Sequence, residues 1–321
     1  KPVSPKQPAP AVAAKQPPSA ATNTGIASLI VRERASDGRS RWVFARGATK
    51  TGLAYEVRPA GPGRGIGMFA ARDLAMGERV LAERPLATWT VRKGESREGK
   101  LASFAKVVAG FSASQRSAFL SLSQASHLES GSAGRTMMAT WLTNALPINY
   151  EENEAGTHED GAVFATISRI NHACDCNCHH EWNAAIGMET IHALRPIACG
   201  EELTITYLMP SGRQREERQR LLSEQFGFAC GCRLCSLPPA EVARSDACQR
   251  ALGDLKPEAM EGGSTSLEER VKRAEVRMRL LEAEGLPIVW ARPLLISAMV
   301  ASVQDKSAKG RERSAALAAR A

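Results

Sequence analysis

From Tyr55 onward the chain alternates short apolar runs with polar, glycine-punctuated breaks. Tyr55-Glu56-Val57-Arg58 has the alternation of a short strand. A glycine-rich loop, Gly61-Pro62-Gly63-Arg64-Gly65-Ile66-Gly67, runs into Met68-Phe69-Ala70 as a second strand. A turn at Met76-Gly77 then leads into a third, Glu78–Glu83. The period changes after Lys100. Leu101, Phe104, Val107 and Val108 recur at helical spacing, and Ser112 followed by Gln115 has the pattern of a capping box before a helix over 113–122. Arg135–Leu146 predicts another helix, ending before Pro147. Strand texture returns at Val163–Ile167, in a hairpin of Trp182–Ile186 and Thr190–Ala193 turning at Gly187, and at Leu203–Tyr207. Ser211 is the expected cap of a charged helix, Arg213–Gln225. Beyond Pro238-Pro239 strand signals vanish. Leu267, Val271, Ala274, Met278 and Leu281 mark one face of a helix that Gly285 would stop, and Ile288–Val303 is expected to complete a helical hairpin.

Composition changes this picture mainly at the ends. Residues 1–24 are rich in Pro, Ala, Lys and Gln and have too little apolar surface to fold alone, so 1–27 reads as a disordered basic leader and 28–54 as a linker. The net charge of +8 suggests nucleic acid at first sight. Residues 1–54 hold nine Lys/Arg against Glu33 and Asp37, which leaves the remaining chain close to neutral. The body therefore has no overall basic field, and direct nucleic-acid binding is not expected outside the leader. No apolar run is long enough for a membrane span, and residues 1–20 lack a signal-peptide core. Seven of the eight Cys fall between 174 and 235, most too close together for a disulfide framework. That usage fits metal ligation in a reducing compartment, nucleus or cytoplasm.

The densest chemistry lies in Ser168-Arg169-Ile170-Asn171-His172-Ala173-Cys174-Asp175-Cys176-Asn177-Cys178. Two later segments answer it: Gly200-Glu201-Glu202-Leu203-Thr204-Ile205-Thr206-Tyr207, and Phe226-Gly227-Phe228-Ala229-Cys230-Gly231-Cys232-Arg233-Leu234-Cys235. Cys230-x-Cys232-x-x-Cys235 offers three thiolates from one tight loop. Zinc takes four ligands in a tetrahedron, so Cys174, Cys176, Cys178, Cys199 and a His are the candidates for the fourth. The five carboxylates of Glu151–Asp160 form a solvated loop or an acidic rim for a basic substrate.

Taken in order, these pieces resemble the SET-domain protein lysine methyltransferases from about Tyr55 to Cys235. Gly63-Arg64-Gly65-Ile66-Gly67 looks like that family's glycine loop. Arg169 to Asn177 looks like its Arg-(Phe/Ile)-Asn-His-Ser-Cys-x-Pro-Asn motif, with Ala173 in place of Ser, Cys176 in place of Pro, and Cys178 additional. The helix before Phe-Gly-Phe-x-Cys-x-Cys is most similar to the SET-and-MYND and fungal SET proteins, without a MYND finger. The resemblance implies an α+β, β-rich fold of small sheets around a knot-like segment at 168–177 and 203–207. It places a SET domain at 55–210 with a helical insertion at about 100–146, a helix and post-SET zinc loop at 211–238, and a helical extension at 239–321. It implies methyl transfer from S-adenosylmethionine to a lysine of a histone or non-histone protein, by a monomer. Arg64, Gly65, Ile66, Gly67, Asn144, Ser168, Asn171, His172, Tyr207 and Phe228 would line the cofactor site. Tyr207 would be catalytic, and Cys174, Cys230, Cys232 and Cys235 would hold structural zinc. A catalytically weak, zinc-stabilised interaction module is the alternative.

Overall fold

The computed structural model describes residues 30–34, 40–44, 48–49, 52–92, 94–125, 133–148, 158–208, 212–255, 266–291, 307–309 and 312. The leader, most of the acidic segment at 151–157, Ser211 and the expected helix beyond Ala291 lie outside them. The chain divides into two compact units. The first comprises 1–172, 177–205 and 221–229, and the second 173–176, 206–220 and 230–321.

The first unit is built from short strands. In chain order these are β1 (Ile30–Arg34), β2 (Ser40–Phe44), β3 (Ala48–Thr49), β4 (Gly52–Leu53), β5 (Tyr55–Pro59), β6 (Ile66–Ala70), β7 (Arg79–Glu83) and β8 (Ala87–Arg92), followed after an insertion by β9 (Leu146–Ile148), β10 (His158–Val163), β11 (Asn171–His172), β12 (Cys178–Asn183), β13 (Met188–Ala193) and β14 (Glu202–Ile205). They form a four-stranded sheet ordered β11-β14-β6-β5, two three-stranded sheets, β8-β10-β9 and β12-β13-β7, and the two-stranded pairs β1-β2 and β3-β4. The β-rich α+β architecture expected from the sequence is the one observed. Among the described residues every named strand pairing is antiparallel except β11 with β14, where Asn171 lies beside Thr204 and His172 beside Ile205. The Asn-His pair is thus a two-residue strand laid along the segment that leads to Tyr207.

The insertion comprises α1 (Arg97–Ala109), α2 (Ala113–Leu120) and α3 (Ala133–Asn144). The capping box forms as read: Ser112 Oγ accepts the Gln115 amide at 3.2 Å and Gln115 Oε1 accepts the Ser112 amide at 3.1 Å. Of the residues at helical spacing in α1, Phe104 is buried while Leu101 faces solvent. Phe104, Phe119, Met137 and Trp141 pack with Trp89 and Val163 into one core, where the Trp89 ring meets those of Phe104 and Trp141 at 5.0 and 5.7 Å between centroids.

The second unit holds the start of α4 (Arg215–Phe226), α5 (Pro239–Asp254) and α6 (Leu267–Glu284). Ala274, Met278 and Leu281 of α6 are buried, and Gly285 ends the helix in the left-handed conformation at φ 63°. Among the described residues α6 packs with α5 and with a 3-10 turn at Ile288–Ala291, and the remainder of the expected Ile288–Val303 helix lies outside them. Polar groups tie α5 to α6: Ser245 and Gln249 donate to the Glu284 carboxylate at 2.6 and 3.2 Å, and Arg277 donates to the Leu252 and Trp290 carbonyls.

Candidate functional site

The glycine loop and β14 meet at one carboxylate in the first unit. Glu202, at the start of β14, accepts from Asn171 Nδ2 at 2.9 Å and from Arg64 at 2.6 Å. Asn171 also donates to the Ile66 carbonyl at 3.3 Å. Arg64 and Ile66 of the loop, Asn171 of β11 and Glu202 therefore form one polar cradle. Gly67 is required by it, since a Cβ there would lie 2.8 Å from Glu202 Oε1 and 3.0 Å from Asn171 Nδ2. Gly65 serves a different need, holding φ at +64° where other residues are strained. Asn177 fixes β14 from the other side of the motif. Its amide accepts from Thr204 N at 2.8 Å and donates to the Glu202 carbonyl and the Glu201 carboxylate. Neither Glu202 nor Asn177 was singled out by sequence reasoning, although both stand in the quoted motifs.

The approach to Asn171 is also held by buried polar groups. Glu83 of β7 accepts the amides of Thr166 and Ile167 at 2.8 to 3.1 Å, which sets the 3-10 turn Ile167–Arg169. Burial pushes its carboxyl above the ordinary carboxylate range, against the pull of those amides. Ser168 Oγ donates to the Asn144 carbonyl at 3.1 Å and accepts the Phe164 amide, so its hydroxyl is engaged within the fold. Asn144 donates to the Ser123 and Thr140 carbonyls, and its Oδ1 is buried with no hydrogen-bond partner. An acceptor left open in this way is what a polar ligand would complete. The rings of His172 and Phe228 lie 6.1 Å apart and tilted by 55°. The half-buried Phe228 gives the same unit a flat apolar surface suited to a purine. The donor set of this unit thus fits a ligand with both a polar amino-acid portion and an aromatic base.

Tyr207 belongs to the second unit, two residues beyond the end of β14, and is half-buried. Thr206 Oγ1 donates to the Leu208 carbonyl and accepts its amide, so the turn that carries Tyr207 is closed on itself.

The sulfur atoms of Cys174, Cys230, Cys232 and Cys235, all in the second unit, lie within 4.8 Å of one another, with Cys174 and Cys235 at 3.6 Å. The loop is preformed. The Cys232 amide points to the Cys230 sulfur at 3.5 Å, and the 3-10 turn Arg233–Ser236 brings Cys235 back. Gln219 of α4 clasps the Cys230 peptide, accepting its amide at 2.9 Å and donating to its carbonyl at 2.7 Å. Arg233 bridges the Asp175 carboxylate and the Glu284 carbonyl. Four thiols this close polarise one another. Hydrogen bonds with Cys174 and then Cys230 hold the Cys232 thiol down to about 5, while hydrogen bonds with Cys230, then Cys232 and Cys235, push the Cys174 thiol far up. A divalent cation would take the place of the shared protons, and the set fits tetrahedral tetrathiolate coordination. Cys176 and Cys178 are buried outside this group, and Cys199 is exposed.

Residues 65–208 of the chain match the SET domain family model. Among curated proteins it is 32% identical over 190 residues to histone-lysine N-methyltransferase set5 of Schizosaccharomyces pombe, covering 59% of this chain and 53% of that one. It is 39% identical over 98 residues to histone-lysine N-methyltransferase SMYD3 of Homo sapiens, covering 29% and 21%, and 43% identical over 76 residues to histone-lysine N-methyltransferase ATXR4 of Arabidopsis thaliana, covering 23% and 22%. The chain spans about half the length of the first of these relatives. No helix among the described residues is long and apolar enough to cross a membrane.

Proposed function

We propose that this chain transfers a methyl group from S-adenosylmethionine to the side-chain nitrogen of a lysine in a histone or another protein, acting as a monomer in the nucleus or cytoplasm. The observation that carries this reading is the SET domain itself, with its Asn-His pair set in parallel against the strand that leads to Tyr207. The names of the relatives support the same chemistry. The reading assigns 55–210 to the SET domain, 211–238 to a helix and post-SET loop, and 239–321 to a helical extension.

When bound, S-adenosylmethionine supplies an electrophilic methyl group on a sulfonium. The residues of the first unit hold and orient it. Arg64, Gly65, Ile66 and Gly67 offer loop backbone, and Asn144 Oδ1 offers an acceptor. Ser168, Asn171 and His172 would contribute through backbone or ring atoms, and Phe228 would offer the base an apolar face. The Glu202–Asn171–Arg64 cradle keeps the loop in shape before the ligand arrives, so little reorganisation remains at the moment of transfer. Tyr207 is the catalytic residue. Its hydroxyl orients the lysine amine, which must be neutral to present its lone pair, and exclusion of water favours that neutral form. Cys174, Cys230, Cys232 and Cys235 would hold a structural zinc, which would take no part in the transfer.

The test is incubation of the full chain with core histones and methyl-labelled S-adenosylmethionine, followed by mass spectrometry of the products. Label on lysine side chains is expected. Cofactor binding without label on histones or on a broad protein panel would favour a non-catalytic interaction module.

A further inference from the structure

Arg218 has no part in the chemistry above, yet it is among the most deeply buried cations described, 6% exposed. It projects from α4 in the unit that holds the four cysteines. Its Nη1 donates to the Arg213 carbonyl at 2.6 Å and its Nη2 lies 3.9 Å from Cys235 Sγ. None of its hydrogen bonds reaches a carboxylate, and its Nε is buried without a partner. A guanidinium keeps its charge in any protein environment, and burial of that charge without an anion is strongly unfavourable. The anion that answers it is therefore sulfur. Four thiolates around one divalent cation leave a centre with surplus negative charge, itself costly in a buried setting.

The neighbouring cations do not meet this need. Arg215, one turn earlier, donates to the Cys235 carbonyl but is exposed to solvent. Arg233 is paired with Asp175, which cancels its charge. Gln219, the next residue of α4, is neutral and hydrogen-bonds to the Cys230 backbone. Arg218 alone among these brings an uncancelled buried charge to a ligand sulfur.

We propose that Arg218 is the charge partner of the Cys174–Cys230–Cys232–Cys235 metal centre: its guanidinium, directed at Cys235, offsets thiolate charge and sets how tightly the cation is held. The assignment rests on the zinc reading of that cluster. Loss of a comparable outer partner weakens metal binding by about 10–100-fold.

The test uses the full chain with one zinc loaded, following release to a chromogenic chelator, and the cobalt-substituted chain, following its sulfur-to-metal charge-transfer band. Arg218→Met, close in size but neutral, is expected to speed release at least tenfold and to move the band. Arg218→Lys is expected to stay within about threefold of wild type, since it restores charge without the planar fork. Arg218→Met releasing zinc at the wild-type rate with an unmoved band overturns the assignment. If Arg218→Met does not fold, Arg218→Lys decides: retention supports the charge role, and a tenfold loss overturns it. Wild type that takes up no metal overturns the zinc reading and this assignment together, an outcome distinct from metal uptake that ignores Arg218.

Discussion

Asn171 and Cys174 are separated in sequence only by His172 and Ala173, and both are buried. They nevertheless satisfy their polar character in opposite ways. Around Asn171 the hydrogen bonds close among protein groups: the Glu202 carboxylate takes the Asn171 amide and the Arg64 guanidinium, and the loop carbonyl of Ile66 takes the remainder. Around Cys174 four sulfur atoms lie within 4.8 Å of one another, with the Nη2 of Arg218 3.9 Å from Cys235 Sγ, an arrangement suited to a cation. The first region is preorganised by folding alone, whereas the second, on the zinc reading proposed above, would be organised by folding together with metal.

The sharpest way to break this comparison is to remove one sulfur. Cys235→Ser should abolish stoichiometric zinc and melt much of the second unit's helix, since structural zinc contributes on the order of 10 kcal/mol in small zinc modules. Metal analysis and circular dichroism before and after chelation would read this. A variant as stable as wild type in chelator would place the cluster with the self-sufficient cradle.

Gly67→Ala probes the cradle from its crowded side. The added methyl must displace Glu202 or Asn171, at a cost of about 1–3 kcal/mol. Urea unfolding measures that loss, and calorimetry should show weakened cofactor binding with zinc content unchanged. A shift in zinc with no shift in cofactor binding would invert the roles of the two regions.

Glu189 of β13 sharpens the contrast at a smaller scale. One of its oxygens meets His180 at 3.0 Å, and the other is buried without a partner. Burial holds its carboxyl above the ordinary 4.5, although His180 pulls it down. A carboxyl raised in this way lends its full stability below the unfolded value and loses it as pH rises through the folded value. Glu189→Gln should therefore flatten the fall in melting temperature as pH rises from the ordinary carboxylate value of 4.5 toward neutrality. A variant whose melting temperature tracks wild type across that range would show that the orphan oxygen carries no penalty.

What the sequence disclosed follows the same division. The sulfur site was legible because three ligands must come from one short loop, so Cys230-x-Cys232-x-x-Cys235 carries its geometry in its spacing, and the motif resemblance pointed to Cys174. The cradle was less legible. Glu202 acts on Arg64, far earlier in the chain, and strand alternation does not report which distant side chain a carboxylate will meet. The insertion and α6 showed themselves through caps and apolar periodicity. The helix α5 did not, because its buried positions include Ser245 and Gln249, polar residues at sites where periodicity expects apolar ones. The strand β8 was missed despite a readable signal, the alternation of buried Ala87 and Trp89 with exposed Thr88 and Thr90.

On the function proposed above, Tyr207 serves chiefly the transfer step. The most direct measurement compares wild type with Tyr207→Phe for S-adenosylmethionine affinity by calorimetry and for methyl-lysine formation by mass spectrometry. Affinities within about threefold and methyl-lysine formation reduced by about 10²-fold or more are expected, the scale on which a positioned polar group acts in a transition state. Equal methyl-lysine formation in the two proteins would contradict it.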